Sequence, residues 1–234
     1  MLVRMPEHFY LALSNCTDPA RESTFNRWYD ETLIPTILVV PGIRGAWRYV
    51  STHQRPGEAK YAAFYAIDED IRQVMRDLRA NRERVGQEGK WIDCIDLPFV
   101  STFRRTHTAV APGQTLPAAS AAQDMPRPIL LVLSRCADPA READFNRWYN
   151  DVHLPDIFEA PGILSCFRYE NTHRKEGEPH YLALYELASG KPPVHGDDTY
   201  EVLARVKRGE VTPLRSADPR LPRDEADEGL DIEV

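Results

Sequence analysis

The chain lacks most of the short motifs by which enzymes declare themselves. Its four cysteines, Cys16, Cys94, Cys136 and Cys166, form no Cys-x-x-Cys pair, which removes zinc knuckles and dithiol redox motifs from consideration. Neither G-x-G-x-x-G nor Gly-Lys-Ser/Thr occurs, so no nucleotide cradle is visible. G-x-S-x-G is also absent, which argues against a serine-hydrolase elbow. Basic charge is in deficit: 29 Lys and Arg face 36 Asp and Glu, a net charge of −7, leaving no electrostatic footprint for nucleic acid. No apolar run approaches the length of a membrane-spanning helix, and the opening MLVRMPEHFYLALSN turns polar too early for a secretory signal. These absences lead us to expect a cytoplasmic protein with no nucleic-acid or membrane partner. Its thiols are then expected to be reduced and partly buried.

What the chain has instead is repetition. Sliding it by 120 residues lays 8–68 on 128–188 without a gap, with roughly half the positions identical. LALSNCTDPARE matches LVLSRCADPARE, and FNRWYDETLIPTILVVPGI matches FNRWYNDVHLPDIFEAPGI. Two copies are too few for a solenoid. They fit a pair of related domains or the two halves of one pseudo-symmetric domain.

Each copy reads as the same series of elements. FYLALS and ILLVLS are apolar runs of strand length. Asp18-Pro19 and Asp138-Pro139 supply a helix cap and a first-turn proline. Phe145, Trp148, Tyr149, Val152 and His153 then recur at a spacing that predicts one helix face packed on a sheet. Pro155 is expected to kink or interrupt that helix. Pro161-Gly162 opens the strand ILSCFRYENT, and the turn RKEGEPH leads into YLALYEL, a hairpin signal. The first copy adds a polar helix near 69–86 and a strand around FVSTFRRT, which gives β-α-β-β-α-β, the ferredoxin-like order. The second copy is shortened here, with a brief helix near 198–208 and a weakly marked closing strand. Tyr181, Ala183, Tyr185 and Leu187 alternate with Leu182 and Leu184, so this strand is apolar on both faces and is expected to be buried on both. Helices cover only one face, leaving the other repeat's sheet to cover the second.

The expected organisation is therefore an α+β chain with a first repeat over 1–106 and a linker over 107–127. A second repeat over 128–220 and an acidic tail over 221–234 complete it. The tail DEADEGLDIEV has six acids and no bases, and reads as mobile or as a final strand.

The pattern F-N-x-W-Y-(N/D)-x-x-H-L-P-D-(I/V), followed by P-G-I, an aromatic-Arg-Tyr strand and a hairpin, resembles the dimeric α/β-barrel superfamily. It is most similar to its EthD-type members. The resemblance covers both repeats and implies two sheets paired face to face, here within one chain. It implies little about chemistry, because that fold hosts cyclases, isomerases, cofactor-free monooxygenases, haem-handling enzymes and stress proteins. Small, largely apolar organic ligands held between helix and sheet are what it implies most generally.

The copies differ at two positions that bear on function. His153 and Asp156 stand where the first copy has Leu33 and Thr36. An imidazole suits proton transfer to or from a small organic substrate, and its helix spacing aims it at the sheet. The alternative is a core-facing histidine satisfied by a backbone carbonyl or by Asp156. Asp156 is either the carboxylate that orients His153 or a solvated acid. Without a third regularly spaced ligand the pair is no zinc pattern. Arg168 is a candidate for holding a carboxylate or enolate oxygen, or else for a surface salt bridge. Tyr169, its neighbour, points to the opposite face, so at most one of the two sees a given cavity. Tyr181 and Tyr185 on the next strand, and Trp148 and Tyr149 on the helix, could line a pocket or simply fill the core. Asn146 could border the cleft or sit on the surface. His53 and His173, retained in both copies at a turn, read as structural.

The sequence reading is thus an enzyme for a small, partly apolar carbonyl compound. It would use histidine proton transfer of the lyase, isomerase or cyclase type, with no metal and no organic cofactor, as a monomer or homodimer. Only the second repeat would be active. The alternatives are a haem- or oxygen-handling protein with His153 as axial ligand, and a non-catalytic ligand-binding stress protein.

Overall fold

The computed structural model describes residues 5–51, 54, 57–68, 70–115, 129–188, 212–214 and 232–233. Each copy starts with an apolar strand, β1 (His8–Cys16) and β5 (Ile129–Cys136). Asp18 and Asp138 then cap the chain as their neighbours suggest, each side chain accepting the backbone N–H of the alanine two residues on. The proline between sits in the first turn, where its missing N–H costs nothing.

The main helix does not break at its proline. It runs as α1 (Glu22–Trp28) and α4 (Glu142–Trp148), widens into one π turn at Tyr29–Leu33 and Tyr149–His153, and continues as α2 (Ile34–Leu38) and α5 (Leu154–Ile157). The N–H groups of Ile34 and Leu154 reach five residues back, to the carbonyls of Tyr29 and Tyr149. A wide turn lets the helix pass Pro35 and Pro155, each of which lacks a donor for the preceding turn. The extra residue also rotates the helix face. Val152, expected against the sheet, is 46% exposed, and Leu154 is fully buried instead.

The remaining strands are β2 (Ile43–Ser51), β3 (Tyr61–Ile67), β4 (Ile95–Val110), β6 (Ile163–Asn171), β7 (Tyr181–Leu187), β8 (Thr212–Leu214) and β9 (Ile232–Glu233). A long helix, α3 (Ile71–Gln87), is capped by Asp70, whose side chain accepts the Gln73 N–H at 2.9 Å. The first copy has the antiparallel order β2-β3-β1-β4 of a ferredoxin-like unit, and the second repeats it as β6-β7-β5. β9, from the acidic tail, pairs with Arg135 and Cys136. In the first copy β4 lies beside the equivalent residues, Asn15 and Cys16. The helix expected near 198–208 and His53 lie outside the described residues. His173 sits at the β6–β7 turn, its backbone N–H bonded to Asn171.

β4 joins the halves. It pairs with β1 as far as Arg104 and with β6 from Phe103 to Val110. It therefore runs four residues into the segment expected as linker, placing His107 on a strand. The result is one nine-stranded sheet, β8-β2-β3-β1-β4-β6-β7-β5-β9, whose two halves share an inner core. Phe9, Phe64 and Phe103 meet Tyr169, Leu182 and Leu184 there, with the Phe9 and Tyr169 rings 4.5 Å apart. Helices cover the outer faces: Tyr29, Leu33 and Leu78 over the first half, Tyr149 and Leu154 over the second. Every residue of β7 is buried, Leu182 and Leu184 inward and Tyr181, Tyr185 and Leu187 under the helix, as its alternation requires. Two ferredoxin-like repeats thus form a dimeric α/β-barrel-like domain within one chain.

Candidate active site

The β6 alternation decides what reaches the helix side of the second repeat. Tyr169 points into the barrel, where its hydroxyl donates to the Pro6 carbonyl at 2.9 Å. Arg168 points to the helix and is 1% exposed. Its Nη1 donates to Asn150 Oδ1 at 2.6 Å and its Nη2 to Asn146 Oδ1 at 2.9 Å. The guanidinium lies 3.9 Å from the centroid of the Tyr149 ring, with the Tyr181 and Phe145 rings behind. Its Nε is buried without a partner. Burial lowers the pKa of Arg168 from its ordinary value, and the ring faces oppose that by attracting the cation. Arg168 therefore makes no surface salt bridge. Asn146 is no loose surface amide either, since its Nδ2 donates to the Tyr181 hydroxyl at 2.7 Å.

The π turn brings His153 to the same place. Its ring stacks on Trp148 at 5.0 Å and meets the Tyr149 ring edge-on at 4.7 Å. Nε2 lies 3.4 Å from the Tyr185 hydroxyl, which is 2.6 Å from that of Tyr149. Burial raises the pKa of both phenols far above the ordinary tyrosine range, so at neutral pH both remain neutral donors. A continuous line of groups results: imidazole, phenol, phenol, guanidinium. Asp156 stands apart, exposed on α5, with no bond to His153 among the described residues. The helix-side cluster therefore contains His153, Arg168, Asn146, Trp148, Tyr149, Tyr181 and Tyr185, and excludes Asp156 and Tyr169.

Two members of the cluster escaped the sequence reading. Asn150 was hidden as a conservative Asp/Asn exchange between copies. His107, assigned to the linker, lies opposite Arg168 across β4 and β6. Burial lowers its pKa, the charge of Arg168 lowers it further, and Asp151 opposes both. Continued alternation through TFRRTHTAV was the available sign that β4 runs this far.

The first repeat presents the same cage with different contents. Arg48 donates to Asp30 at 3.0 Å and also to Asn26, and lies over the rings of Tyr29 and Tyr61. Leu33 occupies the position of His153 and is buried. The Tyr65 and Tyr29 hydroxyls are 3.5 Å apart, a loosened version of the 2.6 Å pair. A small cavity of about 20 Å³, room for roughly one water, opens here between Tyr10, Tyr29, Leu33, Tyr65, Arg82 and Trp91. This position thus faces a helix–sheet cleft even in the copy that carries no histidine.

No protein-family model and no curated protein matches the sequence. Solved structures do. An anthrone oxidase-like protein aligns over 87% of this chain and 94% of its own, with 10% identity and a TM-score of 0.51. A variant chlorite dismutase from Candidatus Nitrospira defluvii covers 86% and 92%, at 8% identity and a TM-score of 0.46. A monooxygenase-like protein from Fusobacterium nucleatum covers 80% and 78%, at 8% identity and 0.44. The chain shares its overall fold with the anthrone oxidase-like protein. At such identities the likeness is one of fold, and chemistry has to be argued from the residues. Among the described residues no helix is long and apolar enough to cross a membrane, and no three His, Cys, Asp or Glu side chains cluster as metal ligands.

Proposed function

We propose that the second repeat is the active half of a tandem duplication of an EthD-type unit, and that it moves a proton on a small, partly apolar carbonyl compound. His153 is the acid or base. Tyr185 and Tyr149 are the hydroxyl pair that passes or steadies charge, and Arg168 supports them from behind. A lyase, isomerase or cyclase reaction without an organic cofactor is the class this suits. The observation that carries the proposal is the 3.4 Å and 2.6 Å line from His153 through Tyr185 to Tyr149, present where the first repeat has Leu33. A buried cation beside the phenols favours negative charge forming next to them.

Anthrone, a ketone with an acidic methylene, is a suitable probe. Wild-type protein should accelerate solvent deuterium exchange at that carbon, and His153→Leu should cut the acceleration by about 10²–10⁴-fold. Exchange surviving within about threefold in a folded His153→Leu variant removes the assigned role. No acceleration of anthrone or simple 1,3-diketones by the wild type removes the reaction class.

A second reading is supported by the name of the anthrone oxidase-like neighbour. In it, the carbanion formed at His153 is consumed by dioxygen instead of being reprotonated. Oxygen uptake equal to probe loss distinguishes the two. Ligation of haem by His153 would require Nε2 to leave Tyr185, which makes it the weaker alternative.

A further inference from the structure

The two helix–sheet interfaces are built from equivalent residues but differ by one charge at the buried arginine. Arg48 has a counter-ion: Nη1 donates to the Asp30 carboxylate at 3.0 Å, the guanidinium fully buried and the acid 14% exposed. Arg168, equally buried, has the neutral Asn150 at that place. Its other contacts are also neutral: the Asn146 amide and the faces of three aromatic rings. The nearby acids do not fill the gap. Glu142 is retained in both copies as Glu22, and it is occupied by His180 and Arg174, as Glu22 is by Lys60. Asp151 is exposed and lies toward His107. Among the described residues Arg168 therefore contacts no carboxylate.

A guanidinium withdrawn from water keeps its charge only if something nearby stabilises it. Amide oxygens and ring faces do part of this, and an anion would do the rest. Arg168 lies over the ring of Tyr149, whose hydroxyl pairs with that of Tyr185, so its charge acts on the phenol pair beside His153. We infer that the second cleft is a binding site for a small aromatic organic anion, a carboxylate or phenolate. The anion would accept hydrogen bonds from this phenol pair in the field of Arg168, with Asn150 as the residue that leaves the charge for the ligand. The buried Nε is unpartnered in Arg48 and Arg168 alike, so the contrast between the two lies at Nη1. The inference rests on the second cleft being the functional one, and it assigns a substrate class to it.

The test compares 2-naphthoate with its neutral isostere 2-naphthamide by calorimetric titration of the full chain. Wild-type protein should bind naphthoate at least about tenfold more tightly, as expected for charge-assisted recognition. Asn150→Asp, which installs the counter-ion that the first repeat already accommodates, should reduce that preference to within about twofold. Asn150→Ala, which leaves the cation unpaired, should keep or increase it. Binding is read without turnover, so absence of deuterium exchange in the wild type would sink the catalytic assignment and leave this result intact. Equal binding of the two probes by the wild type, or an undiminished preference in folded Asn150→Asp, overturns the inference.

Discussion

The two repeats place the same arginine under the same helix, yet one cage is neutralised from within and the other is not. Arg48 with Asp30 is a closed ion pair in the repeat that carries a buried leucine in place of the histidine. Arg168 with Asn150 is a cation among amides and rings, joined through two phenols to a histidine. The packing frame is common to both: Phe25 and Phe145, Tyr29 and Tyr149, and the π turn with its proline. What a fold needs and what a site needs are therefore separable here, because one copy meets only the first requirement.

That comparison can be tested at several points. The largest effect is expected at Arg168. Arg168→Met should abolish exchange on anthrone, by about 10²-fold or more if electrostatic stabilisation matters as in other preorganised sites. Arg48→Met should leave exchange unchanged and alter only stability. Next comes Asp30→Ala, which strips a buried cation of its partner and should cost about 3 kcal/mol in denaturant unfolding. Asn150→Ala removes a hydrogen bond from the cation to an uncharged amide and should cost less, about 2 kcal/mol. Equal losses would mean that the two cages are not electrostatically different. A smaller contrast is expected from Tyr185→Phe, which should slow exchange about tenfold by breaking the hydroxyl line, less than the 10²–10⁴-fold typical of the acid or base itself. Tyr65→Phe should do nothing to the rate.

The smallest effect concerns pH. Burial and the charge of Arg168 depress the pKa of His107 below its ordinary value of 6.5. The native protein then binds that proton less readily than the unfolded chain. Its contribution to stability is present above about pH 6.5 and lost as pH falls through the depressed native value. His107→Gln should flatten this part of the stability profile, measured as melting temperature between pH 7.5 and 5. An unchanged slope would place His107 outside the field of Arg168.

Much of the fold was legible in the sequence because its signals are local or periodic. Asp-Pro set the helix starts, and the double-faced YLALYEL required a second sheet. The candidate site was legible only in part. His153 stood out as a histidine replacing leucine, but the π turn that moves Val152 out and Leu154 in depends on a proline's missing donor being absorbed upstream. Simple helical periodicity does not carry that. Asp156 looked like a partner for His153 three residues away, and the same turn leaves it in solvent. The exchange of Asp30 for Asn150 was visible throughout, but its meaning depends on knowing that Arg168 points inward to it. β4 passed unnoticed beyond Thr106 because Ala-, Pro- and Gly-rich residues follow it closely.

The most direct test pairs the two equivalent positions. Deuterium exchange on anthrone is measured for His153→Leu and for Leu33→Met, a substitution that conserves packing volume. The account predicts that the first loses about 100-fold or more, while the second stays within about threefold of wild type. Comparable losses at both positions, or no loss at His153, would contradict the claim that the two repeats have divided packing from chemistry.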